Sequence, residues 1–244
     1  MSERIPWYYM WTPKYEIFHR LIQESMDRFP RLRADFCDRP IFYEQALFNK
    51  KLSTEAGVHS FTNSNLKVDL MIQCIEQNWG KYFIFSDADI FIGSAKVKEM
   101  CAPFMEVGYD SVFMAENSYD SEVNIGFILT RANEVTLSLW KDIQAHINQH
   151  GGHDQSIMNN ILREGWSGKW CTFDIGDVVS NKTSRYNDFI IFQFLSSCNG
   201  YEPDMAEKLY TVSKIYNIDH HYHLISDTIL NYINILSKDN KIPK

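Results

Sequence analysis

The run Gly80-Lys81-Tyr82-Phe83-Ile84-Phe85-Ser86 narrows the fold more than any other stretch of this chain. An unbroken aromatic and aliphatic run this short, placed directly after a glycine, predicts a strand buried on both faces, as in a parallel sheet under helices. Upstream, Asn63, Ser64 and Asn65 form a cap-competent turn, and Leu66, Leu70, Ile75 and Trp79 mark one face of a helix that Gly80 closes. Ile5–Trp11 reads as another strand. Tyr15, Phe18, Leu21, Ile22 and Met26 follow at helical spacing until Phe29-Pro30 stops them. Further strands are expected at Pro40–Tyr43, Ser111–Ala115 and Ile125–Thr130, with helices at Asn133–Asn148 and Asp154–Arg163. Leu137, Trp140, Ile143 and Ile147 point inward on the first of these helices. The order strand, helix, strand, helix predicts an α/β fold with a mostly parallel central sheet flanked by helices. The last third is less regular, with a strand-like Leu209–Tyr216 and a helix near Ser226–Leu236.

No repeat or Pro/Gly/Ser-rich linker divides the 244 residues, so a single domain over 1–244 is expected. A net charge of −7 argues against a nucleic-acid partner, which calls for a basic surface. The five cysteines (Cys37, Cys74, Cys101, Cys171, Cys198) are scattered without a C-x-x-C pair, which suits a reducing compartment. Met1 to Trp11 lacks the apolar core of a secretory leader. The longest apolar stretches, Tyr82–Phe85 and Phe189–Leu195, fall well below the ~20 residues of a membrane span. A cytoplasmic location is expected, and the sequon Asn181-Lys182-Thr183 is read as accidental.

Chemistry is concentrated in Ser86-Asp87-Ala88-Asp89, at the C-terminal end of the buried strand, where open α/β sheets bind ligands. Two carboxylates one residue apart repel, and holding both beside apolar chain is costly unless a cation neutralises them. Mg²⁺ or Mn²⁺, bridging to phosphates, would do so. The bland reading is a solvated turn after a strand. Three histidines, His220, His221 and His223, add a metal-binding composition near the C-terminus.

In order along the chain, Lys67 on a helix, Tyr82–Phe85 with Asp87 and Asp89, Asn124-Ile125-Gly126-Phe127 with Arg131, His153-Asp154-Gln155 with Asn159, and Ile218–His223 form a set. That set resembles the GT-A-fold glycosyltransferases that use nucleotide-diphosphate sugars, in the group around families eight and seventy-seven. The resemblance implies a metal-dependent transfer of a sugar from a nucleotide-diphosphate donor to a hydroxyl of a glycan or other acceptor, with retention. It implies a single GT-A-type domain, with 1–130 mainly nucleotide-binding and 131–244 forming the acceptor side and a closing segment. Asp87, Asp89 and His221 would hold Mn²⁺ or Mg²⁺, with His220 and His223 as alternatives to His221. Thr12, Lys67, Asp87, Ala88, Asp89 and Gly126 would contact the donor, while Asn124, Asp154 and Gln155 would orient the reacting sugar. Asp154 is the one candidate base for an inverting reaction.

The chain departs from the family where a Gly and a Lys are usual after the histidines, since Ser226 and Asn231 stand there, with Lys238 and Lys241 as possible substitutes. Two other readings compete. One is a GT-A domain that binds a nucleotide sugar or glycan without transfer. The other is a haloacid-dehalogenase-type phosphatase, disfavoured by Phe91 where that family wants Thr or Val.

Overall fold

The computed structural model describes residues 4–42, 51–53, 59–117, 122–181, 188–195 and 201–216. Strand β1 (Ile5–Trp11) leads through a 3-10 turn at Pro13–Tyr15 into α1 (Glu16–Arg28), α2 (Pro30–Asp35) and β2 (Phe36–Phe42). The short strands β3 (Lys51–Ser53) and β4 (His59–Phe61) pair with each other and precede α3 (Thr62–Gln77). Next come β5 (Tyr82–Ser86), β6 (Ile90–Ile92), α4 (Val97–Val107), β7 (Ser111–Ala115) and β8 (Val123–Arg131). The rest consists of α5 (Glu134–His150), α6 (Asp154–Glu164), β9 (Trp170–Thr172), β10 (Val178–Ser180), β11 (Ile191–Gln193) and α7 (Tyr201–Tyr216).

The main sheet runs β2-β1-β5-β8-β7-β9. Its β1–β2, β1–β5 and β7–β9 pairs are parallel, while β8 is antiparallel to both neighbours. The mostly parallel sheet is the one expected, and the reversal of β8 follows from its short connection to β7, too short for a crossover. The chain leaves β1 for β2 on one side and later returns to β5 on the other. This makes the C-terminal ends of β1 and β5 a topological switch point, where a crevice opens for a ligand.

Both sheet faces are covered. Ile84 joins Trp7, Phe127 and Leu129 under α1, α2 and α4, while Phe83 and Phe85 pack with Val68, Met71, Ile75, Trp140 and Ile143 of α3 and α5. Burying each such side chain contributes ~1.5–3 kcal/mol, so slipping β5 by one residue would misplace several at once. The indole Nε1 of Trp7 also donates to Ser86 Oγ at 2.9 Å, tying β1 to the last residue of β5. A second sheet, β10-β11-β6, carries the chain from the site to α7.

Several elements differ from expectation. Pro30 begins α2 as well as ending α1, because its missing N–H costs nothing at a first helical position. Leu209–Tyr216 belongs to a helix, not a strand: Leu209, Val212 and Ile215 recur at three-residue spacing and pack together. The β-branched and aromatic residues between them favour a strand locally. Trp79 is 52% exposed, one turn past the buried face of α3. The amide of Asn181 is engaged at both ends, to the Leu195 carbonyl at 2.9 Å and the Leu195 N–H at 2.8 Å. The expected helix near Ser226–Leu236 lies outside the described residues.

Candidate active site

Asp87 and Asp89 lie on the bend between β5 and β6, at the switch point. Alternation along the bend sends the methyl of Ala88 into the core with Trp7 and Ile84, leaving the two acids on the other side. A small residue is therefore required between them. The Asp87 side chain is 36% exposed and that of Asp89 11%, so Asp87 faces the opening and Asp89 lies deeper.

Each acid carries an ammonium partner. Lys67 Nζ is 2.6 Å from Asp87 Oδ1, and Lys208 Nζ is 2.6 Å from Asp89 Oδ2. Lys67 stands in the second turn of α3, later in the helix than expected. Burial acts to lower the pKa of its ammonium, but the carboxylates of Asp87, Asp154 and Asp89 outweigh it and hold the pKa above the ordinary value. Lys67 is thus a fixed positive charge.

Opposite the acids, β8 supplies a backbone platform. The β7–β8 register shifts between Phe113 and Met114, so Ile125, Gly126 and Phe127 bulge out of the pairing with β7. Asn124 and Gly126 are both buried at this irregularity, and the Gly126 carbonyl accepts from Asp87 N at 2.8 Å. Asn124 Oδ1 accepts from Gly126 N at 2.7 Å, and its Nδ2 donates to Glu116 Oε2 at 2.7 Å. Gln155 Nε2 donates to the same Glu116 oxygen at 3.0 Å, tying α6 to the bulge. Asn159 clamps the Val123 backbone at N–H and C=O. Asp154 is buried at the start of α6, where its Oδ1 accepts from Gln155 N at 2.9 Å and lies 3.5 Å from His153 Nε2.

Thr12 sits at the end of β1 with its Oγ1 buried and lacking a hydrogen-bond partner. The described structure brings together Lys67, Asp87, Ala88, Asp89, Asn124, Gly126, Asp154 and Gln155, with Thr12 at the adjacent strand end. His221, with His220 and His223, lies outside the described residues.

Three residues at the site were not singled out in the sequence: Glu116, Gln193 and Lys208. Gln193, on β11, donates from Nε2 to Asp87 Oδ2 at 3.2 Å and is 2% exposed. Its amide lies where a Gly126 side chain would be, since a Cβ there would come within 1.8 Å of Gln193 Nε2. A lone amide inside the apolar run Phe189–Leu195 was the available signal. Lys208 and Glu116 carried no comparable mark.

Two carboxylates suit Mg²⁺ or Mn²⁺, which take hard oxygen ligands. Among the described residues, no group of three or more His, Cys, Asp or Glu is placed to hold a metal. The buried Gln193 Oε1, an acceptor without a donor, adds a neutral oxygen beside Asp87. The donor set therefore fits such a cation, with phosphate oxygens needed to complete it.

A family model described as nucleotide-diphospho-sugar transferase matches residues 24–197, which include β5, both acids, the bulge, α6 and Gln193. The chain belongs to the nucleotide-diphospho-sugar transferases. It is a transferase, and the phosphatase reading falls with that assignment. Among curated proteins, none matches the chain in sequence. Solved structures share the fold. A glycosyltransferase involved in glycosylation of the major capsid of PBCV-1 is 13% identical, with a TM-score of 0.58 over 85% of this chain and 100% of that one. WbbM, a bifunctional glycosyltransferase, is 10% identical with a TM-score of 0.51, and the glycosyltransferase GlyE of Streptococcus pneumoniae TIGR4 is 9% identical with 0.50. The likeness covers 88% of this chain but 52% of WbbM, and 91% of this chain but 64% of GlyE. The family match stops at residue 197, short of the three histidines.

Proposed function

We propose that this transferase moves a sugar from a nucleotide-diphosphate donor to an acceptor hydroxyl, with a divalent cation and with retention of anomeric configuration. The observation that carries the reading is the convergence of two carboxylates and two buried ammonium groups on one bend at the switch point of the sheet. Such a charge pattern suits a diphosphate that arrives with a cation.

Asp87 and Asp89 would hold Mn²⁺ or Mg²⁺, with Gln193 Oε1 beside them and His221 as the nitrogen ligand. When bound, the cation supplies Lewis-acid stabilisation of the departing nucleoside diphosphate. Lys67 adds a permanent positive charge beside the phosphates. Thr12, at the end of β1, offers its unpartnered Oγ1 to the nucleotide. Gly126, lacking a side chain, makes room for the Gln193 amide beside Asp87, and Asn124, Asp154 and Gln155 orient the sugar. Positioning of this kind supplies much of the rate.

Retention is supported by Asp154, the one base proposed for inversion. Its Oδ1 already holds the Gln155 N–H, and its charge is shared with Lys67. We place the donor mainly against residues 1–130 and the acceptor mainly against 131–244, within one domain, with Gln193 and Lys208 reaching across from the second half. A reducing, cytoplasmic setting suits the free thiols Cys37, Cys74, Cys101 and Cys171. No described helix is long and apolar enough to cross a membrane.

Thermal unfolding with uridine or guanosine diphosphate tests the reading. Either nucleotide with Mn²⁺ at ~100 times its Kd should add about 2.7 kcal/mol to stability, and nucleotide or Mn²⁺ alone much less. Equal stabilisation by nucleotide without a divalent cation would overturn the cation dependence. A retained anomer in the product of a nucleotide-sugar turnover, followed by NMR, checks the stereochemistry.

A further inference from the structure

Lys208 occupies the place on Asp89 that the functional reading gives to a divalent cation. It stands on α7, 119 residues beyond Asp89. Leu209, Val212 and Ile215 of the same helix pack against Ile17, Phe18 and Leu21 of α1 and against Phe91 and Phe192, so the ammonium is delivered by an anchored helix. Its Nζ reaches Asp89 Oδ2 at 2.6 Å and Tyr15 OH at 3.4 Å, and lies 5.1 Å from the Tyr15 ring centroid. Both partners of the ion pair are about nine-tenths buried.

A buried ion pair is a poor device for stability alone, because well-packed apolar residues of similar volume often serve as well or better. Charge balance offers another reason for it. Around the bend, Asp87 and Asp89 are already paired with the ammonium groups of Lys67 and Lys208, each at 2.6 Å, and Asp154 and Glu116 are further carboxylates of the site. A divalent cation arriving alone would meet Lys208 across a shared carboxylate. With a diphosphate the repulsion vanishes, because the phosphate oxygens give Lys208 a new acceptor.

We propose that Lys208 is a built-in counter-cation, which holds Asp89 until the donor arrives and then turns to the donor diphosphate. The cation site is thereby closed to a divalent ion alone and open to one accompanied by a nucleotide. This rests on the functional reading above for the donor half, whereas competition at Asp89 stands by itself. Lys208 is a positioning residue for the cation and a binding residue for the donor, and it links the seating of α7 to the state of the site.

The test is isothermal titration of Mn²⁺, without nucleotide, into the wild-type protein and into Lys208→Met, Lys208→Gln and Lys208→Arg. The Met and Gln variants should bind Mn²⁺ at least ~10-fold more tightly than wild type, and Arg should resemble wild type. Gln keeps a hydrogen-bond donor for Asp89 and serves if Met does not fold. In a second arm, uridine diphosphate with saturating Mn²⁺ should bind at least ~10-fold more weakly to Met and Gln than to wild type. Unchanged or weaker binding of Mn²⁺ alone in both neutral variants would overturn the proposal, as would binding by none of the four proteins. Failure of wild type to bind nucleotide in the second arm would strike the functional reading instead, leaving the first arm to judge Lys208.

Discussion

Replacing Gly126 by Ala puts a methyl group into space already held by the Gln193 amide. The new Cβ would lie 1.8 Å from Nε2, 2.3 Å from Cδ and 2.5 Å from Oε1. Ordinary contacts begin near ~3.5 Å, so the amide must retreat by about 1–2 Å. Gln193 is 2% exposed, and retreat breaks its bond to Asp87. Overpacking costs roughly 1–3 kcal/mol and a hydrogen bond to a charged group roughly 1.5–3, so a total of about 2.5–6 kcal/mol is expected. For a protein of this size that lowers Tm by roughly 5–24 °C. The informative assay is a double-mutant cycle by thermal unfolding. Gln193→Ala alone loses the same bond, but with Gln193 truncated the methyl introduced by Gly126→Ala has room. The double variant should therefore be less damaged than the sum of the singles by about 2.5 kcal/mol or more. Penalties that add to within ~0.5 kcal/mol would refute the close approach of Gln193 to Gly126.

Asp89→Ala should destabilise the fold by about 3–5 kcal/mol in denaturant melts, because it strands the buried Lys208 charge; adding Lys208→Met should recover most of the loss. A third outcome concerns Asp38, whose carboxyl is pushed up by burial but held below its ordinary pKa overall by hydrogen bonds from Gln23 and Arg33 and by the Arg33 charge. A lowered folded-state pKa means stability present above the unfolded value and lost as pH falls through the folded one. Melts should therefore show a loss below about pH 4 that is smaller in Asp38→Asn, and equal slopes in the two proteins would contradict the assignment.

The central elements were legible because local pattern and tertiary burial agree there. Tyr82–Phe85 is apolar on both faces because helices cover both faces, and the Asn133 cap is written in the four residues it uses, with Thr136 closing the box. Asn124 and Gly126 are expected to serve the donor, and the register shift shows the local form of the chain there, a bulge whose Gly126 carbonyl holds the Asp87 N–H. What stayed hidden was long-range. Lys208 sits in a helix whose Tyr210, Thr211 and Val212 favour strands locally, and only packing against α1 settles its form. Glu116 gains meaning through Asn124 and Gln155 meeting on one of its oxygens, which no spacing encodes. Trp79 departs from the expected face because the apolar spacing continues past Gln77, the last residue of α3.

The wide sequence separation of Asp89 and Lys208 has a consequence during synthesis. Lys67 leaves the ribosome before the two acids, so Asp87 has a partner from the start. Lys208 follows Asp89 by 119 residues, or roughly 6–24 s at ordinary bacterial-to-eukaryotic elongation rates of about 5–20 residues per second. Through that interval the nascent chain carries an acidic bend that α7 has not yet closed, open to any divalent ion in its surroundings. Under the role proposed for Lys208, the two cations that compete for Asp89 are thus separated in time on the ribosome, and the seating of α7 is the late event that favours the tethered one.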